Sequence, residues 1–211
     1  RWRGGKRSVI DRVQANRVYE VDEAGAVAAA APSPPTVALW VVEANAGVDH
    51  GHQQEPFDDF ARQPLLANKL SQSAPGVSWF DLGDDGWEDL IVTGGRGGPM
   101  SAWRNDGKGG FTPLNRLPYS EPLERDQTMA LGASDREGRP MLLAGMSNYR
   151  DGSLQAPAVR RLDPATGRTE DAVPGQTSCT GPLALGDVDG DGILDLFVGG
   201  RVVPGRYPEP A

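Results

Sequence analysis

Residues 187–200 read DVDGDGILDLFVGG: four aspartates fall within the first nine positions, directly ahead of a run of Leu, Phe and Val. Carboxylates held that close repel one another at neutral pH, so a folded loop that gathers them needs a hard cation or a dense set of hydrogen-bond donors. Asp187, Asp189, Asp191 and Asp195 stand at loop positions one, three, five and nine. Gly192 is at position six, where the backbone turns sharply and a Cβ would interfere. Ile193, at position seven, is placed to offer its backbone carbonyl. Calcium, which takes about six to eight oxygens at roughly 2.3–2.6 Å, is the cation that such a set suits. The loop shares its opening with an EF-hand, but position twelve is Val198 where that motif carries a bidentate Glu. Its flanks, GPLALG and DLFVGG, are short apolar runs bounded by Gly and Pro. The loop therefore reads as a turn between two β-strands.

A related stretch lies upstream, GVSWFDLGDDGWEDLIVTGG, in which Asp81, Asp85 and Asp89 take positions one, five and nine, Gly86 position six, and Trp87 the carbonyl position. Gly83 leaves position three without an oxygen. This loop is expected to hold calcium more weakly than the loop at 187–195, with water in the vacant place and Asp84 and Glu88 pointing outward. Between the two, MALGASDREGRPMLLAGM keeps the strand, loop, strand outline with Ala133, Asp135, Glu137 and Met141 at the ligand positions; it keeps the fold and loses the metal. The first loop positions, 81, 133 and 187, are 52 and 54 residues apart. A repeat of that length made of short strands predicts an all-β fold, a partial β-propeller with four antiparallel strands to each blade. The third and fourth strands follow from hairpin signals after the loops: Asn105, Asp106 and Gly107 in WRNDGKGGF, and Asp163, Pro164 and Gly167 in VRRLDPATGR. The alternative with the same strand spacing is a β-sandwich with acidic surface turns.

The run FDDFARQPLLANKLSQSAPGVSWFDLGDDGWEDLIVTGG, together with GPLALGDVDGDGILDLFVGG, resembles the FG-GAP or VCBS repeats of integrin α-type propellers. It is most similar to those of ASPIC/UnbV proteins, a family that includes relatives of cartilage acidic protein. The likeness covers roughly residues 55–211. The opening RWRGGKRSVIDRVQANRVYEVDE is similar to the closing strands of an ASPIC/UnbV domain through Trp2, Gly5, Lys6, Ala15 and Asn16. The resemblance implies the end of an ASPIC/UnbV-like β domain over 1–24, a linker and connecting segment over 25–54, and about three propeller repeats over 55–211. It also implies that the aspartates of the first and last loops are calcium ligands, and that the chain is a fragment, since a propeller has about four to eight blades.

Composition fits such a protein. Among 211 residues, 28 Gly, 18 Pro and only 38% hydrophobic residues describe a turn-rich β chain. Residues 1–18 hold six Lys or Arg against one Asp, while the whole carries a net charge of −8, so the remainder is strongly acidic. That balance argues against nucleic acid as a partner, because its affinity depends on basic patches. The boundary segment EAGAVAAAAPSPPT could begin as a helix at its alanines, but its proline cluster and lack of apolar periodicity favour a linker. Cys179 is the only cysteine, so no internal disulfide forms. No run approaches the roughly twenty apolar residues of a membrane span. Loops of this kind suit the high calcium outside cells, so a secreted, cell-surface or periplasmic location is expected, with any signal peptide lying upstream.

Catalytic signals are sparse. His50 and His52 in DHGHQQE could ligate a metal with Glu55, but two His one residue apart in a polar segment read more simply as a solvated loop. Ser178 and Cys179 have no recognisable base nearby, and the glycines at 94–98 lack the lysine and helix of a phosphate loop. The expectation is an extracellular calcium-binding propeller module for protein or glycan binding or adhesion, with structural calcium and no enzymatic role. The alternative is a carbohydrate-active propeller enzyme, a lyase or glycosidase, whose active site lies partly outside this stretch.

Overall fold

The computed structural model describes residues 2–28, 47–72 and 74–209. The chain divides into two units, Arg1–Ala44 and Asn45–Ala211. Of the expected linker and connecting segment, residues 29–46 lie outside the described residues.

In the first unit, β1 (Lys6–Arg7) pairs antiparallel with β2 (Val27–Ala28). A 3-10 turn, Glu23–Gly25, precedes β2 and is capped by Asp22, whose carboxylate accepts the Ala24 N–H at 2.8 Å. The Trp2 indole donates to the Ser8 hydroxyl at 2.8 Å, closing the opening turn on itself.

Among its described residues the second unit is all-β apart from one short helix, α1 (Asp59–Arg62), which starts where the Asp58 carboxylate accepts the N–H groups of Phe60 and Ala61. A first antiparallel sheet follows in chain order: β3 (Val77–Phe80), β4 (Asp89–Val92), β5 (Ser101–Asn105) and β6 (Phe111–Pro113). A second repeats the meander with β7 (Gln127–Ser134), β8 (Pro140–Met146), β9 (Val159–Leu162) and β10 (Thr169–Val173). β11 (Cys179–Gly186) and β12 (Asp195–Val202) pair as a third sheet, and no sheet closes on itself. Both hairpins signalled in the sequence form. Asp106 Oδ1 accepts the N–H groups of Lys108 and Gly110 between β5 and β6, and Asp163 Oδ1 those of Ala165 and Thr166 between β9 and β10.

Period-two alternation decides which side chains meet between sheets. Leu142, Ala144 and Met146 of β8 face the first sheet and pack with Ile91, Ala102 and Leu82. Leu143, between them in sequence, points the other way to Val159 and Leu183, with Leu185, Leu196 and Val198 alongside. The far face of the first sheet carries Leu90, Val92 and Trp103, with Val48 and Phe111 packed on them.

The first strands of the three sheets lie side by side and run the same way. Gly76 lies against Thr128 and Met129 of β7, and Phe80 against Gly132. The Thr128 hydroxyl donates to the Gly181 carbonyl of β11 at 3.3 Å, and the Leu183 N–H donates to the Met129 sulfur. The turns that leave β3, β7 and β11 therefore emerge at one common end. A Cβ at Gly132 would overlap the Phe80 ring. Gly132→Val is expected to wedge the first two sheets apart at a cost of about 1–3 kcal/mol, read from urea unfolding midpoints at constant slope.

The middle turn is shorter than the other two. The outer ladders end at Phe80–Asp89 and Gly186–Asp195, leaving eight connecting residues in each turn, whereas the β7–β8 ladder runs on to Ser134–Pro140 and leaves five. The shortened turn is closed by hydrogen bonds from the Asp135 N–H to the Arg139 carbonyl and from the Gly138 N–H to the Asp135 carbonyl, both at 2.9 Å.

Candidate functional site

The acidic turns gather at the common end of the three sheets. In the last turn, Asp187 works first as a backbone cap: Oδ1 accepts the N–H groups of Gly190 (2.7 Å) and Asp191 (3.1 Å), and Oδ2 that of Gly192 (2.9 Å). Gly190 and Gly192 take φ of +79° and +85°, which lets the chain fold tightly round that carboxylate. Asp189 accepts only the Asp191 N–H, at 3.2 Å, and Asp195 only that of Val188, at 3.0 Å. Asp187, Asp189 and Asp195 each bring one carboxylate oxygen within 4.8 Å of the others, and all three are exposed. Asp191 stands outside this group, with its carboxylate on the Ile193 N–H at 2.7 Å. Among the described residues no ion pair engages any of these four aspartates.

The first turn starts the same way. Asp81 Oδ1 accepts from Gly83 and Asp85, both at 3.1 Å, and Oδ2 from Gly86 at 2.6 Å. Burial works against ionisation of Asp81, but these N–H groups outweigh it and hold its pKa below the ordinary value. Asp89 differs from its counterpart Asp195: it is 1% exposed, with one oxygen on the Leu82 N–H (3.1 Å) and the other on the Asn105 N–H of β5 (2.8 Å). That burial pushes its pKa up despite both bonds. Asp85 accepts the Trp87 N–H with one oxygen and takes the Arg104 guanidinium on the other, at 2.8 Å from Nη2 and 3.2 Å from Nε. The space beside Gly83, where water is expected from the sequence, holds this guanidinium: a Cβ on Gly83 would overlap it.

The middle turn also carries its own cation. Asp135 receives Arg139 Nη2 at 2.8 Å and Arg161 Nη2 at 3.4 Å. The Arg139 side chain, with the N–H groups of Arg139 and Glu137, holds the Asp135 pKa below its ordinary value.

No family model matches the chain, and no curated protein matches it.

Of the sequence-derived metal ligands, the structure brings Asp187, Asp189 and Asp195 together, turns Asp191 onto backbone, and ties Asp85 to arginine and Asp89 to β5. Ile193 and Trp87 occupy their turns with half-exposed side chains. The donor set of the last turn is made of hard carboxylate oxygens with lone pairs left over, which fits a hard divalent cation such as calcium. Arg104 escapes sequence reasoning, although one signal points to it. The Leu90–Trp103 pairing puts the next residue, Arg104, across from Asp89, directly over the position that Gly83 leaves without a side chain.

Other candidates find simpler roles. The His50 ring stands edge-on to Trp103 at 5.7 Å, and burial, then the neighbouring His52, lowers its pKa. Glu55 pairs with Arg96 at 2.9 Å. Cys179 is buried, and burial pushes its thiol pKa up. Close packing accounts for the glycines at 94–98: a Cβ at Gly95 would stand 2.7 Å from the Gln54 Cβ. No helix of the described residues is long and apolar enough to cross a membrane.

Proposed function

We propose that this chain is part of an extracellular, calcium-binding β-propeller module of the FG-GAP/VCBS type, acting in protein or glycan binding or adhesion, with calcium as a structural ion. One observation carries the calcium assignment. Of the three turns at the common end, the first two have acidic groups paired to arginine, while the last converges three carboxylates that no basic group among the described residues neutralises. Without a cation, these carboxylates repel one another; a calcium ion would bind Asp187, Asp189 and Asp195 at once and lock β11 to β12. The 52- and 54-residue steps, the two four-stranded meanders and the parallel line of first strands support the propeller reading. A secreted, cell-surface or periplasmic location goes with it, as does a purely structural rather than catalytic use of the ion.

Thermal unfolding tests the assignment. With calcium a hundredfold above its dissociation constant, binding adds about 2.7 kcal/mol, which raises the midpoint by roughly 5–10 °C for a chain of this size. Asp189→Ala, which removes one ligand and only one weak backbone bond, is expected to abolish the calcium-dependent part. Equal midpoints for the parent in chelator and in excess calcium would overturn the proposal.

A further inference from the structure

We infer that the first acidic turn is neutralised from within the chain, by the Arg104 guanidinium, and that this guanidinium keeps an external cation out. The inference rests on the calcium reading of the last turn. It adds that the two turns, alike in sequence, are neutralised by different means: one by a metal, the other by a residue of the adjacent strand.

Three observations converge. The first is steric: the guanidinium fills the volume that a side chain at position three would enter, and that volume is open only because residue 83 is glycine. The second is polar: Nε and Nη2 both donate to Asp85 Oδ2, the carboxylate at position five. The third is electrostatic: Arg104 Nη2 lies 2.8 Å from Asp85 Oδ2, so the two opposite charges offset each other inside the turn. Arginine suits the role because its charge is permanent and its planar fork donates several hydrogen bonds at once, so it satisfies oxygens that would otherwise face each other. A metal cannot share the space, since the two cations would repel across a few ångströms.

A consequence is that Gly83→Asp does not by itself build a better calcium site. The new carboxylate meets Arg104 first and pairs with it. Only with Arg104 removed do Asp81 and Asp85 lose the competing cation and become able to hold a metal, with Asp89 staying on the Leu82 and Asn105 N–H groups, and only then does an aspartate at position three tighten the site.

Terbium, a luminescent calcium substitute, reads this turn separately from the last one, because its emission is sensitised by a nearby indole and Trp87 sits within the first turn. The full chain is titrated with terbium while emission is excited through tryptophan, in the parent and in Arg104→Gln, Arg104→Lys and Gly83→Asp/Arg104→Gln. The parent and Arg104→Lys should give little sensitised emission. Arg104→Gln should emit strongly and lose that emission when Trp87→Leu is added. The double variant should bind about tenfold more tightly than Arg104→Gln, because it has one more carboxylate ligand. Circular dichroism melts confirm that each variant is folded, and Arg104 lies half-exposed at the surface, where truncation is tolerated. Strong Trp87-sensitised emission from the parent would overturn the inference, as would a folded Arg104→Gln that gains none. A failure of the calcium reading at 187–195 appears elsewhere, as an absent calcium shift in the parent melt.

Discussion

Asp126→Ala is expected to destabilise the second unit by about 3–5 kcal/mol, the cost of leaving one member of a buried ion pair without its partner. Asp126 is 1% exposed and its Oδ2 receives Arg150 Nε at 2.7 Å, with the Arg150 side chain 7% exposed. The other oxygen accepts the Gln54 amide at 3.0 Å and the Arg96 N–H at 2.7 Å. One carboxylate therefore ties the segment before α1, the β4–β5 loop and the chain after β8 together, at the end of the sheets opposite the acidic turns. Removing it strands a buried guanidinium and two part-buried donors. Urea unfolding of parent, Asp126→Ala, Arg150→Met and the double variant would apportion the effect. Either single change should cost more than the pair's net worth, so the double variant should lose clearly less than the sum of the singles. Additive losses, or a loss below about 1 kcal/mol for Asp126→Ala, would show that solvent reaches Arg150 in solution.

How far the sequence discloses this molecule depends on the range over which each feature is encoded. The strand, turn, strand outline and its repeat are local: short apolar runs such as WF, LIV and LFV, with Asp and Gly between, require an antiparallel pair wherever its neighbours lie. The hairpins at Asp106 and Asp163 are equally local, since each aspartate caps N–H groups two to four residues on. The fate of each carboxylate is not local. Asp89 and Asp195 occupy the same loop position and accept the same backbone bond from position two. One is buried and the other exposed because β5 lies beside Asp89, whereas among the described residues no strand lies on that side of β12. Asp85 meets arginine because β5 puts Arg104 across from Asp89, from where its side chain reaches Asp85, which the spacing of aspartates cannot encode. Asp191 departs for a smaller reason: the Ile193 N–H lies within reach, and that bond competes with turning inward. The shorter turn at Asp135 is likewise hidden, because sequence spacing measures chain length and not how far the strand ladder runs.

Asp59→Ala is expected to cost about 3–4 kcal/mol, because the carboxylate is the partner of several buried groups at once. Asp59 has no exposed surface. Its Oδ1 accepts the N–H groups of Leu70 and Ser71, both at 2.8 Å, and its Oδ2 takes the Ser71 hydroxyl at 2.5 Å. Those bonds hold the segment after α1 in place where no sheet ladder can satisfy it, so alanine leaves two backbone donors facing an apolar void. Asp59→Asn keeps one acceptor oxygen and should lose about half as much. The same pair of variants predicts a pH dependence. Burial favours the neutral acid, but the hydrogen bonds from the Ser71 hydroxyl and from the Leu70 and Ser71 N–H groups outweigh it, so the folded pKa lies below the ordinary value of 3.8. A carboxyl with a depressed folded pKa contributes its full stabilisation above the unfolded value and loses it as pH falls through the folded one. The asparagine variant has no such proton to bind, while every other carboxylate titrates alike in both proteins. The stability gap between parent and Asp59→Asn should therefore be constant above about pH 5 and narrow steadily towards about pH 2. Paired urea titrations across that range check it, and a gap that stays constant to the acid limit would mean that folding leaves the Asp59 pKa unchanged.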